Sequence, residues 1–415
     1  MNLTKYKIGD VCEIVSKSHT PITGHTYNLY SLPSFDNNKN CEIIDGKYIE
    51  SSKYVVPKKC ILFNKLNVRF RRVWCIAHIN GDNLCSTEFL PLVIDESKVD
   101  YHYFHYLLVS DSITEYLCGQ NTNTSGSHKR IDPHNLLDID IAVPDLLTQQ
   151  KIGHLLSTLD RQISLLRSTN ATLEAIAKQL YDYWFVQFDF PDANGKPYKS
   201  SGGEMVWNER LKREIPKGWK VENLIDFAQI KNGATPSTSD ESNYGGDIVW
   251  ITPKDLSDQK SKFIYQGERN ITRQGFDSCS TSLLPIGSVL MSSRAPIGLV
   301  SIAKNEVCTN QGFKSLIPNN LDDSIYLYYY IKHHIQQIEQ LGTGTTFKEV
   351  SRDDLCRFPI LVVGAKEIYK QWIDIQNKIA DKQFVNTKQI ATLTAQRDTL
   401  LPLLMNGQAT VGEEA

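Results

Sequence analysis

Between Pro57 and Gly81 the chain carries six basic residues, Lys58, Lys59, Lys65, Arg69, Arg71 and Arg72, and no acidic one. Lysine and arginine in such a run can neutralise phosphates, and guanidinium groups can pair with base edges in two-pronged fashion. A second polar loop, NTNTSGSHKR at 121–130, supplies Ser127, Lys129 and Arg130. Later in the chain come Lys254, then MSSRAPIG at 291–298 with Ser293 and Arg294, TNQGFK at 309–314 with Asn310, and GTGTTFK at 342–348 with Thr345 and Lys348. Backbone phosphates are bound by Lys, Arg, Ser and Thr, and base edges are read by Arg, Asn, Ser and Thr, so these positions are the expected nucleic-acid contacts. The overall charge of −2 argues mildly the other way, but the distribution of basic residues matters more than their sum.

No bond-making chemistry is encoded in recognisable form. The sequence contains no GxxxxGK[ST], HExxH, GxSxG or GxGxxG. GTGTTFK ends in lysine without the spacing of a phosphate-cradling loop. The pairs His102/His105 and His333/His334 lack Cys or acidic partners at ligand spacing, so no metal site is expected. Catalytic residues and bound cofactors are likewise not expected in this chain. Nine scattered cysteines without a CxxC pair read as reduced, mostly buried thiols. No apolar run is long enough to span a membrane, and MNLTKYKIGDVCEIVSK lacks a signal-peptide core, so a cytoplasmic location is expected.

Two long helices must position those loops. Ile152, Leu156, Leu159, Ile163, Leu166, Asn170, Leu173, Ala177, Leu180 and Trp184 follow one another at alternating gaps of four and three. This is a heptad seam, and a helix from about Leu147 to Phe188 would be on the order of 60 Å long. A second helix is expected from about Ala365 to Leu401. Trp372, Ile379, Asn386, Leu393 and Leu400 keep the seven-residue spacing, with Ile375 on the other seam line followed by Lys382, Gln389 and Gln396. Shifted by a constant offset, Leu156 falls on Trp372, Leu159 on Ile375, Ile163 on Ile379 and Asn170 on Asn386. A matched seam asparagine costs stability but fixes register and partner number. The polar second line predicts a seam partly open to solvent or to another protein.

The segments before the two helices repeat as well. TSGSHKRIDPHNLLDIDIAV (124–143) matches TGTTFKEVSRDDLCRFPILV (343–362), placing Lys129 on Lys348 and Ile131 on Val350. GDNLCSTEF (81–89) matches KNEVCTNQGF (304–313), VPKKCILFN, which ends at Asn64, matches LLPIGSVLMS (283–292), and YKIGDVCEI (6–14) matches WKVENLIDF (219–227). Each copy has short β-type runs and one short helix, expected at Tyr101–Leu117 and Ile325–Leu341. The fold class is therefore α+β. Two similar recognition domains with small twisted sheets, 1–145 and 219–363, are separated by two long antiparallel helices, 146–190 and 364–405, that form a coiled spacer. A connecting segment spans 191–218 and a tail 406–415. Tandem copies favour a closed pseudo-twofold arrangement, and duplex DNA, with its own local dyad, is the natural target of such a ruler.

YDYWFVQFDFPDANGKPYKSSGGEMVWNERLKREIPKGW (181–219) resembles the central conserved region of the specificity subunits of type I restriction–modification enzymes. GGDIVWITPKDLSD (245–258), GFDSCSTSLLPIGSVLMSSRAPIGLVSIAKNEVCTNQGFKSLIP (275–318), RDTLLPLLMNGQATV (397–411) and YNLYSLPSFD (27–36) are similar to the same family. The resemblance implies a non-catalytic chain whose two domains each read half of a bipartite, gapped DNA sequence. It implies two modification subunits docked on the helices, carrying S-adenosylmethionine for adenine N6 methylation. Two restriction subunits would add ATP- and Mg-dependent translocation and cleavage. Leu156, Leu159, Ile163, Asn170, Leu173, Trp184, Trp372, Ile375, Ile379, Asn386, Leu393 and Leu400 are the expected spacer and docking positions. The alternative reading is a bivalent protein–protein scaffold without DNA contact, and steep salt dependence would separate the two.

Overall fold

The computed structural model describes residues 3–37, 39–77, 79–119, 129–259, 261–344 and 348–412. The chain divides into two compact units, one of Met1–Arg167 with Lys388–Ala415 and the other of Ser168–Thr387.

The units share one frame. In unit one Thr4–Lys7 pairs antiparallel with Asp140–Val143, and in unit two Lys220–Asn223 pairs likewise with Pro359–Val362. A single helical turn follows in each, Ile8–Val11 and Leu224–Phe227. Asp10 and Asp226 secure its start by accepting the backbone N–H of Lys7 and Asn223. The chain then enters the main sheet. Its order in unit one is Cys12–Ile14, Phe89–Ile94, Cys60–Asn64, Val73–Ile76. Unit two repeats it as Ala228–Asn232, Phe313–Pro318, Val289–Ser293, Ile297–Ala303, and adds Phe263–Ile264 at the edge. Phe89 faces Asn64 as Phe313 faces Ser292, so the repeat holds to the residue here. It differs from the sequence expectation at the start of the copies. Ile8 corresponds to Leu224, not Val221, because both fully buried residues open the helical turn.

The second sheet varies more. Unit one has five strands, ordered Ser18–His19, Lys53–Val55, Asn83–Cys85, Thr26–Tyr30, Glu42–Asp45, and unit two has three, Arg269–Ile271, Tyr244–Ile251, Cys308–Thr309. The common element is a parallel pair in which Tyr30 faces Cys85 and Trp250 faces Cys308. Each expected short helix is broken in two, Tyr101–Leu108 with Asp111–Gly119, and Ser324–His333 with Ile335–Gln340. Polar side chains take over helix carbonyls at the breaks: Ser110 Oγ donates to Leu107 O, and His334 Nδ1 lies 2.9 Å from Tyr330 O.

The long helices are Leu146–Tyr181 and Lys366–Met405. The first ends in a wider turn, Asp182–Val186, and Phe188 adopts φ +65°, which turns the chain out of the helix. The aromatic stretch beyond is packed against unit two: Phe188 is buried beneath Arg213, and Phe190 stacks on Tyr198 and Trp219. Within each unit the helix halves run antiparallel, with Asp160 meeting Arg397 in unit one and Ala177 meeting Gln376 in unit two. Leu156, Ile163, Trp184, Trp372, Asn386 and Leu393 are buried, and Leu159, Asn170, Leu173, Ile379 and Leu400 half-buried.

One seam line is corrected. Ile375 is 40% exposed, and Gln376 is buried in its place. The inner line runs Gln376, Gln383, Ile390, Arg397, Leu404, one residue beyond the expected Ile375, Lys382, Gln389, Gln396. The apolar side chain of Ile375 thus faces outward, and the polar Gln376 turns inward. The polar line is closed rather than open. Gln376 Nε2 donates to Ala177 O, Gln383 Nε2 to Asn170 O, and Asn386 Nδ2 to Asn170 Oδ1 at 2.8 Å.

All nine cysteines are free thiols. Among the described residues no helix is long and apolar enough to cross a membrane.

Candidate nucleic-acid interface

In unit one the connection from Cys60–Asn64 to Val73–Ile76 rises out of the main sheet as a loop, Lys65 to Arg72, with a short helical turn at Val68–Phe70. It is bound to the segment before the Pro133–Leu137 helix. Asn67 N donates to Lys129 O, Ile131 N to Lys65 O, and Leu66 bridges Arg130. The structure thus gathers Lys65, Arg69, Arg71, Arg72, Lys129 and Arg130 into one cluster. Lys58 is exposed but lies at the other end of the Cys60–Asn64 strand, beside Lys59, which pairs with Glu96.

Three arginines of this cluster are held by carboxylates. Arg72 makes a two-pronged pair with Asp36 at 2.8 Å on each oxygen. Arg71 binds Asp111, and Arg130 grips Glu88 at 2.7–3.0 Å. The Arg130 hydrogen bond holds the Glu88 carboxyl below its usual range, and the Asp36 hydrogen bond raises Arg72. These pairs fix guanidinium positions before any ligand arrives, which lowers the ordering cost of binding. The acidic partners are far away in sequence, so the run from Pro57 to Gly81 gave no sign of them.

Unit two places the equivalent turn, Arg294 to Pro296, beside the equivalent segment, with Val350 N donating to Ser293 O. Arg294 and Lys314 flank Glu349 at 3.7 and 3.0 Å, and Lys348 next to them is exposed. Asn310 shapes the adjoining turn, its Oδ1 accepting Gly312 N. Ser293 is fully buried and its hydroxyl donates to Gly312 O, so its side chain has no free face; this corrects its place among the contacts. Lys254 stands on the Pro253–Gln259 helix, whose first residue borders Gly312, and pairs with Glu268 from outside that helix. Ser127 and Thr345 lie outside the described residues. Sequence reasoning missed Phe70, Glu88 and Glu349. The spacing of position 130 to 349 in the repeat could have flagged the last.

No group of three His, Cys, Asp or Glu side chains that could hold a metal stands together among the described residues. One frame used twice, each copy carrying a polar loop cluster at the corresponding strand connection of its main sheet, defines a two-domain protein built on long helices. The chain belongs to the family described as "Type I restriction modification DNA specificity domain", which matches residues 2–175 and 216–401. It is similar to the Type I restriction enzyme HindI specificity subunit of Haemophilus influenzae, 26% identical over 470 aligned positions that cover 97% of this chain and 99% of that one. Against the MjaIX specificity subunit of Methanocaldococcus jannaschii it is 44% identical over 144 residues, 34% of this chain and a third of that relative's length (33%). The crystal structure of the type I restriction–modification S subunit from M. genitalium shares the fold, with a TM-score of 0.63 at 14% identity, covering 100% of this chain and 97% of that one. The protein is a type I specificity subunit with paired DNA-recognition domains.

Proposed function

We propose that each unit reads one half of a bipartite, gapped duplex DNA target, and that the long helices set the gap and dock the modification subunits. The observation that carries this reading is the repeated placement of a polar loop cluster on a common frame. The loop residues differ between the units, so each can read a different half-site. The complex would contain two modification and two restriction subunits. S-adenosylmethionine, ATP and Mg would be bound by those partners, and this chain would contribute no catalytic group.

The test is a methylome. This chain is co-expressed with its modification subunit in a host free of DNA methylation, and N6-methyladenine is mapped by long-read sequencing. The expected result is a bipartite motif with a fixed gap that is absent without this chain. Insertion of one heptad into the Leu156–Trp184 seam is expected to change the gap. Arg294→Ala and Lys348→Ala are expected to weaken one half-site only. No new motif from an assembled complex would favour the protein–protein scaffold instead.

A further inference from the structure

Phe70 is 54% exposed at the top of the Lys65–Arg72 loop. Two residues earlier Val68 is buried with Leu108, Ile113 and Leu117, so the loop anchors the smaller apolar side chain and presents the larger one to solvent. The guanidinium groups of Arg69 and Arg72 lie 5.0 and 4.9 Å from the Phe70 ring centre. Arg72 is clamped by Asp36, whereas Arg69 has no carboxylate partner among the described residues. The helical turn that carries Phe70 is bounded by Asn67 at φ +50° and Arg71 at φ +48°, both in the left-handed region that residues with side chains rarely occupy. Such strain persists where surrounding contacts over-determine it, and here the Lys129–Ile131 segment and Asp111 do so. The corresponding turn of unit two, Arg294 to Pro296, is three residues long and carries no aromatic residue.

A lone exposed phenylalanine is ordinary. A rigidly held one flanked by two arginines suits a ligand with flat apolar faces edged by negative charge, which describes a base step between phosphates. We propose that Phe70 is a stacking wedge that inserts between adjacent base pairs in the half-site read by unit one, with Arg69 and Arg72 on the neighbouring phosphates. The wedge rests on the half-site reading above and gives the two halves different modes of recognition. Unit one deforms its DNA, and unit two does not.

The test uses the full chain assembled with its modification subunits on a duplex carrying the methylome-mapped target, with 2-aminopurine placed in turn at each step of both half-sites. The target adenine of each half-site, which a methyltransferase extrudes from the stack, brightens in both halves; beyond those two positions, the expected result is a several-fold rise in fluorescence at one further step, in the unit-one half-site alone. Phe70→Ala abolishes that rise and weakens specific binding about ten- to a hundredfold, the range of base–aromatic stacking. Because no charge is lost, the slope of log affinity against log salt stays unchanged, whereas Arg69→Ala lowers it by about one. Phe70→Trp restores binding, and its indole emission is quenched on the target. Wild-type fluorescence and affinity in Phe70→Ala would overturn the wedge while leaving half-site reading intact. Loss of modification subunits with DNA binding unchanged would overturn it by making Phe70 a protein contact. If the wild-type complex methylated no defined sequence, the half-site reading and the wedge would fall together.

Discussion

The two units fasten their sheets to the long helices through the same tyrosine of the repeat, in different electrostatic settings. Tyr106 and Tyr329 each stand six residues after the aspartate that precedes the short helix, Asp100 and Asp323. In unit one Tyr106 donates to Asp160 at 2.6 Å, and Arg397 of the second long helix completes the pair at 2.8 Å. Burial pushes the Asp160 carboxyl up, and the hydrogen bonds from Tyr106 and Arg397 outweigh it and bring it below the usual range. Both charged side chains keep about a third of their surface in water, at 33% and 29% exposed. In unit two Tyr329 meets Glu174, and the cation is Lys262 from the domain itself, 6% exposed and 2.6 Å from the carboxylate. Its ammonium also reaches Tyr329 Oη and Gln383 Oε1, which satisfies all three donors. Glu174 keeps 33% of its surface in water, as Asp160 does, so the burial of Lys262 is what separates the two links, and a buried ammonium tolerates the loss of its counter-charge far worse than a half-exposed guanidinium.

The sharpest way to break this comparison is to remove one carboxylate charge at a time. Glu174→Gln leaves a buried ammonium without a counter-charge and is expected to cost about 3 kcal/mol, whereas Asp160→Asn costs about 1 kcal/mol. Urea denaturation measures both. Equal losses would show that burial is not what separates the two links. The double change Glu174→Gln with Lys262→Met should recover most of the stability, since removing both charges also removes the desolvation penalty.

A second difference concerns how closely helix and domain approach. A Cβ on Gly153 would stand 2.5 Å from Asp100 Oδ1 and 2.7 Å from Tyr103 N, so the first long helix lies almost against the cap of the Tyr101–Leu108 helix. At the repeat-equivalent place unit two has Tyr369, whose hydroxyl donates to Asp323 at 2.8 Å. Gly153→Ala is expected to destabilise by roughly 2 kcal/mol through overpacking, despite the better helix propensity of alanine. Tyr369→Phe should cost about 1 kcal/mol, the worth of one hydrogen bond. Thermal melts of the two variants compare them directly.

The smallest expected effect is on acid sensitivity. Burial lowers His105 in unit one to about 3 and His334 in unit two to about 4. An unfolded histidine titrates near 6.5, so between these values the unfolded chain binds more protons than the native one. The stability each neutral ring contributes is complete above about pH 6.5 and is lost as pH falls towards its folded value. His105→Gln should therefore flatten the acid limb of the stability curve by about one proton, a difference of under about 1 kcal/mol at pH 6. Chemical denaturation at pH 7, 6 and 5 gives the slope. The same change at His334, which also contacts Tyr330 O, should flatten it over a narrower range.

Much of the architecture was legible in the sequence because it rests on periodicity. The Leu156, Ile163, Asn170 and Ala177 line and its partner through Trp372, Ile379, Asn386 and Leu393 needed only the heptad rule, and a shared asparagine tied the two together. The second line of the later helix escaped that rule because Gln376 and Gln383 are buried, and Arg397 half-buried, by hydrogen bonding, not by apolarity. The break at Ser110 was hidden because one local hydrogen bond makes it. The loop cluster was half visible: the basic residues of 58–72 were plain, but Asp36, Asp111 and Glu88 reach them only through the folded sheets. Position 130 against 349 shows the limit well. Arginine in one copy and glutamate in the other stand at one place in the frame, and their ion pairs run in opposite senses, Arg130 to Glu88 and Glu349 to Arg294 and Lys314.

The division of the chain has a consequence for how it is made. Unit two is one continuous stretch, Ser168–Thr387, while unit one takes its last helical support from residues beyond that stretch. On the ribosome unit two has all its residues before unit one does. The early sheets must wait, with the core around Leu156 uncovered, until Leu400, Leu401 and Leu404 emerge to close it. Closing so long an excursion costs little more than closing a short one, because the entropy grows only with the logarithm of its length. The delay is therefore kinetic. A nascent chain stalled before Lys388 should be a folded second unit trailing an unfinished first, and that species is the one most exposed to proteolysis and aggregation.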